Sequence, residues 1–249
     1  MEIQLTDLHK TFGNKVILDN LNLTIGNGEV WCLLGTNGAG KTTLINILLT
    51  LLRPEVGSVA YDGEVYHQLP QAVKRRIGVM GENNPVIEEL TAFQFLQLTG
   101  KLYQVDAGLL PVRIQDLVAY FFDEDILHRR LSGFSTGMKK KIGLIAAILH
   151  TPDLLILDEP FSGLDPLAAQ QSIDFLNSYR SDSRAIFLSS HDLSYVQQVA
   201  THVAVLHNQQ LTFAGSMEAF TAGGTTHINS ALLDLLQPET QQKKKIEWL

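Results

Sequence analysis

The sequence predicts an α/β fold: a parallel sheet with helices packed on it, preceded by an antiparallel β-segment and interrupted by a block of helices. Three observations carry that prediction. Apolar runs at Val30–Leu34, Leu154–Leu157, Ala185–Ser189 and Val203–Leu206 read as buried strands, with helix-length segments between several of them. The first run leads straight into a glycine-rich loop, Gly35-Thr36-Asn37-Gly38-Ala39-Gly40-Lys41-Thr42-Thr43. The second ends on two adjacent carboxylates, Asp158 and Glu159, followed by Pro160.

The elements follow in chain order. Ile3, Leu5 and Leu8, then Val16, Leu18, Leu21, Leu23 and Ile25, alternate with polar residues, and Gly13-Asn14 and Gly26-Asn27-Gly28 supply turns. That pattern suits short antiparallel strands. Leu44 to Leu52 reads as an apolar helix, and Gly57 to Gly63 returns to strand and turn chemistry. From Thr91 to about His150 the pattern is helical: Ile114, Leu117, Val118 and Phe121 fall on one helix face. This block, about 85–150, reads as an insertion between strands. Asp165-Pro166 opens a further helix, because Asp can cap and Pro is pre-set for the first turn. After Gly215 the pattern weakens: 216–249 reads as a short extension with a loop at Gly223–Thr226 and a short helix from Ile228 to Leu236. Lys243-Lys244-Lys245 reads as a solvated tail, and Trp248 has no assignment.

Composition narrows the function. Hydrophobic residues at 45 % and charged residues at 18 % describe a globular chain able to bury a sizeable core. A net charge of −7 disfavours nucleic acid as the main partner. The single cysteine, Cys32, excludes an internal disulfide and, set among apolar neighbours, reads as a buried structural thiol. The N-terminus lacks the pattern of a signal peptide, and no apolar run reaches the ~18 residues of a membrane span. A cytoplasmic chain is expected, with any membrane-spanning part supplied by another.

The loop is the firmest motif. Gly35, Gly38 and Gly40 let consecutive backbone N–H groups point into one concavity, and the following helix aims its positive end there. Lys41 can reach the β- and γ-phosphates of a nucleotide, and the Thr42 hydroxyl can ligate Mg²⁺. Asp158 and Glu159 leave the carboxyl end of a buried strand, where parallel sheets bind ligands. Asp158 would hold Mg²⁺ through its water shell and Glu159 would polarise the attacking water. His191 ends another apolar strand and is placed to reach the γ-phosphate. The other histidines (His9, His67, His128, His150, His202, His207 and His227) read as surface or packing residues.

With these residues in place, the chain resembles the nucleotide-binding domain of ATP-binding-cassette (ABC) transporters over residues 1–215. The resemblance implies a P-loop NTPase (RecA-like) core with an N-terminal antiparallel β-subdomain and an inserted helical subdomain. In that family a signature pentapeptide reads Leu-Ser-Gly-Gly-Gln; here it is Phe134-Ser135-Thr136-Gly137-Met138. The resemblance implies that Ser135 and Gly137 touch the γ-phosphate bound by a second copy, or a close paralogue, in a head-to-tail dimer. It also places Phe12 on the adenine, Asn37, Ala39 and Thr43 in the nucleotide-binding loop, and Asp165 in a loop joining the two sites. Glu82 stands where the family has a glutamine near Mg²⁺, which adds a negative charge beside the phosphates.

Ser-x-Gly-Met followed by Lys139-Lys140-Lys141, with Glu82, resembles the ATPases of type-2 ABC exporters, which partner a separate integral membrane permease. The lysine run by itself reads as the exposed face of a helix. The implied function is ATP hydrolysis, with ATP and Mg²⁺ as cofactors, driving export from the inner face of the membrane. The alternative is a soluble ABC ATPase acting as a regulatory or nucleic-acid- or ribosome-associated switch.

Overall fold

Two sheets organise the chain, seen in a computed structural model that describes residues 1–83 and 86–236. The lysine tail and Trp248 lie outside the described residues. The chain runs β1 (Ile3–Phe12), β2 (Lys15–Ile25), β3 (Val30–Leu34), α1 (Lys41–Leu48), β4 (Val56–Tyr61), β5 (Glu64–Val65), α2 (Gln71–Lys74) and β6 (Ile77–Met80). Three longer helices follow: α3 (Ala92–Leu102), α4 (Leu110–Phe121) and α5 (Thr136–Ile148). Then come β7 (Leu154–Asp158), α6 (Pro166–Tyr179), β8 (Ala185–Ser189), α7 (Leu193–Val199), β9 (His202–His207), β10 (Gln210–Ser216), α8 (Met217–Phe220) and α9 (Ile228–Leu236).

The first sheet is antiparallel and four-stranded, in the order β2-β1-β4-β5. Ile3, Leu5 and Leu8 are buried, although Leu8 breaks strict alternation. A register shift between Leu5 and Leu8 accounts for it: Asp7 adopts φ +48°, and the bulge returns Leu8 to the inner face. The second sheet has the order β10-β9-β3-β8-β7-β6, parallel except for the antiparallel edge strand β10. Every residue of β3, β7 and β8 is buried, as a sheet covered on both faces requires.

Helices α3, α4 and α5 lie between β6 and β7 in the chain. Thr91 and Gln94 form a reciprocal capping box that starts α3. Helix α4 buries Ile114, Val118 and Phe121, with Leu117 partly buried beside them. Helix α5 packs its C-terminal half on β6. A Cβ at Gly78 would stand 2.0 Å from the Ala147 carbonyl oxygen, so only glycine allows this approach.

Two local expectations are corrected. Helix α1 stops at Leu48, not Leu52, because Thr50 turns to φ +53° and the N–H groups of Leu51 and Leu52 return to the Asn46 carbonyl. The lysine run is not an exposed face. Lys139 pairs with Glu88, Lys140 is 7 % exposed, and Lys141 donates to the Phe121 carbonyl (2.8 Å) beneath the Phe122 ring. Between Gly215 and Leu236, β10 ends at Ser216, the expected helix runs from Ile228 to Leu236, and Phe220, Ile228 and Ala231 are buried in the main core. Cys32 is fully buried, and that burial pushes its thiol pKa up.

Candidate nucleotide site

Strand β3 ends at Leu34, and the next six residues turn into α1. Gly40 precedes the helix at φ +111°, where a Cβ would press on Ile17 Cγ2 at 3.0 Å. Among the described residues no side chain caps α1, so its first N–H groups remain directed at the loop. Lys41 is buried; its ammonium donates to the Gly35 carbonyl at 2.8 Å and stands 3.6 Å from Glu159 Oε1.

Strand β7 delivers the two carboxylates beside this loop. The Thr42 hydroxyl donates to Asp158 Oδ2 at 3.0 Å. Glu159 takes φ +50°, so the chain turns sharply just as the strand ends. Its Oε2 meets His191 Nδ1 at 2.8 Å. A cleft of about 370 Å³ is lined by Ile17, Asn37, Gly38, Gly40, Lys41, Thr42, Thr43, Glu82, Asp158 and Glu159. It opens at the carboxyl ends of parallel strands, the common ligand position in such sheets.

Some expected site residues stand outside that lining. Gly35 and Ala39 act through the loop backbone: Gly35 offers its carbonyl to Lys41, and the Ala39 N–H donates to the Thr36 carbonyl. Phe12 is half-exposed at the tip of the β1–β2 hairpin, whose second strand gives Ile17 to the cleft wall. Ser135 and Asp165 cap α5 and α6, accepting from the N–H groups of Met138 (3.2 Å) and Ala168 (2.9 Å). Gly137 lies against the Gly163-Leu164 turn, so the pentapeptide and the 162–165 loop meet each other rather than the cleft.

Two residues at the site escape sequence reasoning. Ser189 is fully buried; its hydroxyl donates to Asp158 Oδ1 at 2.5 Å and accepts from the Glu159 N–H at 3.0 Å. Lys140 donates to the Glu159 carbonyl at 2.7 Å in a buried bond. Burial lowers the Lys140 pKa, and the charges of Glu159, Glu82 and Asp158 oppose that shift. Each left a signal: Ser189 is polar at the end of an apolar strand, and Lys140 shares a helix face with Gly143, Leu144 and Ala147.

Comparison with known proteins places the chain in a family. Residues 18–162 match the family model described as "ABC transporter". The ABC transporter ATP-binding protein NatA of Bacillus subtilis (strain 168) is 35 % identical over 222 residues, covering 87 % of this chain and 90 % of that protein. The bacitracin transport ATP-binding protein BcrA of Bacillus licheniformis is 35 % identical over 211 residues, covering 84 % of this chain and 68 % of that protein. A solved structure described as the ATP binding subunit of an ABC transporter superposes with a TM-score of 0.86 at 27 % identity, covering 94 % of this chain and 99 % of that one. The phosphate loop, the carboxylates it faces and the family match converge on one conclusion: this chain is an ATP-binding, ATP-hydrolysing member of the ABC transporter family.

Proposed function

We propose that the chain is the ATPase of an ABC exporter and works as a pair of subunits that closes on ATP and reopens after hydrolysis. One observation carries the reading. Lys41, Thr42, Asp158 and Glu159 converge on a single cleft although they come from the start of α1 and the end of β7, far apart in sequence. Lys41 binds the β- and γ-phosphates, beside N–H groups of the loop and α1. Glu159 polarises the attacking water, and His191 holds that carboxylate through Nδ1 while Nε2 remains for the γ-phosphate. Flanked by two anions, the imidazole can donate from both nitrogens only as imidazolium.

Mg²⁺ fits the donors. Thr42 and Asp158 supply adjacent hard oxygens, and Glu82 lines the same cleft. No group of three or more His, Cys, Asp or Glu that could hold a metal ion occurs among the described residues. Phosphate oxygens and water would therefore complete the shell, as Mg²⁺ prefers. When bound, the ion neutralises charge on the transferring phosphoryl group.

Ser135 and Gly137 stand away from the cleft of their own chain and would serve that of a second copy. Asp165, in the adjoining loop, would link the two sites. Phe12, exposed on the hairpin, would stack on the adenine. Residues 1–215 form the ATP-binding domain in this reading, with about 85–150 as its helical subdomain and 216–249 as an extension. Among the described residues no helix is long and apolar enough to cross a membrane, so a separate permease would carry the cargo and hold the chain at the inner face of the membrane. The names of bacitracin and lantibiotic transport relatives support an export role.

Glu159→Gln tests the reading: the variant should bind ATP, lose turnover and elute as an ATP-dependent dimer in size-exclusion chromatography. Wild-type turnover in that variant would reject the assignment of Glu159. Cross-linking in native membranes should recover an integral membrane protein; recovery of soluble partners alone would reject the permease.

A further inference from the structure

Glu159 is held at both of its backbone groups by side chains from different parts of the fold. Its N–H donates to the Ser189 hydroxyl at the end of β8, and its carbonyl accepts from the Lys140 ammonium of α5. Between those two bonds the residue sits at φ +50°, a conformation that non-glycine residues adopt only when their surroundings enforce it. The Lys140 bond is buried, and a lysine seldom occupies such a place without a specific partner. Three carboxylates, those of Glu159, Glu82 and Asp158, act on the same ammonium. Glu82 brings one more negative charge to this region than a glutamine would, and Lys140 offsets part of it.

Lys140 lies five positions after Ser135, the residue that caps α5 and opens the pentapeptide helix. At ~1.5 Å per residue the two points are separated by about 7–8 Å of rigid helix. A shift of α5 that moved Ser135 would move the Lys140 ammonium with it. We infer that Lys140 is a positioning residue for Glu159, fixing the left-handed turn that aims its carboxylate and tying that aim to the placement of α5. The helix end offered to a second copy and the water-polarising carboxylate of the same chain then move as one unit.

The inference rests on the assignment of Glu159 in the proposed function, and the experiment separates the two. Steady-state hydrolysis of ATP with Mg²⁺ is measured for the full chain as wild type, Lys140→Met, Lys140→Arg, Glu159→Gln and the Lys140→Met/Glu159→Gln double variant. Lys140→Met should lower kcat at least tenfold while KM stays within twofold. Lys140→Arg, which keeps a donor, should recover to within about fivefold of wild type. In the Glu159→Gln background Lys140→Met should cost less than twofold more, because it acts through the residue already changed.

A Lys140→Met kcat within twofold of wild type, a loss that appears in KM alone, an Arg variant as slow as the Met variant, or a multiplicative loss in the double variant each overturns the inference. Wild-type turnover in Glu159→Gln overturns instead the reading of the site. Should Lys140→Met fail to fold, Lys140→Leu, which also lacks a donor, carries the same comparison. If neither folds, Lys140 is a structural residue and the inference falls.

Discussion

His191 Nδ1 and Glu159 Oε2 stand 2.8 Å apart, thirty-two residues distant in sequence, with the imidazole half-exposed and the carboxylate buried. One side chain thus joins the interior of the site to its mouth. His191→Ala should leave ATP affinity within a few-fold of wild type and reduce turnover by ~10²-fold, the low end for losing a positioned acid–base group. Parallel nucleotide-binding and steady-state ATPase assays check this. Undiminished turnover would show that the contact is ornamental to catalysis.

Ser189→Ala removes the hydroxyl that serves both Asp158 and the Glu159 N–H. Two buried polar groups lose a partner, which costs about 1–3 kcal/mol. Denaturant unfolding should show that loss, and turnover should fall with it, since both carboxylates lose an anchor. A variant as stable and as active as wild type would place the hydroxyl outside the working site.

Ser135 has a local task and a proposed distant one, and two substitutions part them. Ser135→Ala removes the cap on α5 and should cost ~1 kcal/mol of stability. Ser135→Asp keeps a capping oxygen, so stability should return toward wild type. The added carboxylate would repel a γ-phosphate, and ATP-dependent dimerisation in a Glu159→Gln background should be lost. Dimers of undiminished strength in the Asp variant would place the pentapeptide away from the partner's nucleotide.

His150 predicts a pH effect far from the cleft. Its ring stacks on Tyr103 at 3.7 Å, and Nε2 donates to the Ile77 carbonyl at 3.2 Å, leaving Nδ1 buried with no hydrogen-bond partner among the described residues. Burial pushes its pKa from the ordinary 6.5 down to about 4; the Ile77 bond opposes the shift and Arg113 adds to it. Between those values the unfolded chain binds more proton than the folded one. The stabilisation is therefore present above pH 6.5 and is lost as pH falls toward 4. His150→Phe keeps the stack without the titration. Between pH 7.5 and 5 the wild type should lose roughly 2–4 °C more in Tm than the variant. Equal shifts in the two proteins would dismiss His150 as the source.

Local chemistry accounts for what the sequence discloses. Gly35–Thr43 is contiguous, so loop bend, helix start and lysine are read together. Leu154–Asp158 is legible because full burial demands an unbroken apolar run, and its end marks where the carboxylates emerge. The end of α1 is less legible: an apolar run continues to Leu52, and only the turn at Thr50 stops the helix. The lysine run misleads for a related reason. Charge predicts exposure on average, yet α5 turns Lys140 onto the face that meets the Glu159 carbonyl.

By itself the sequence determines that this chain binds and hydrolyses ATP on an α/β scaffold, and which short segments bring the Gly35–Thr43 loop, the two carboxylates and His191 to the proposed site. Those are properties of neighbours along the chain, set by backbone conformation and strand burial. Only the tertiary structure decides that Ser189 and Lys140 grip Glu159 from opposite ends, and that Ser135 and Gly137 sit with the 162–165 loop away from their own cleft. The physical reason is distance. A buried polar bond between residues 19 or 30 positions apart depends on how α5 and β8 pack around β7, which no local pattern encodes.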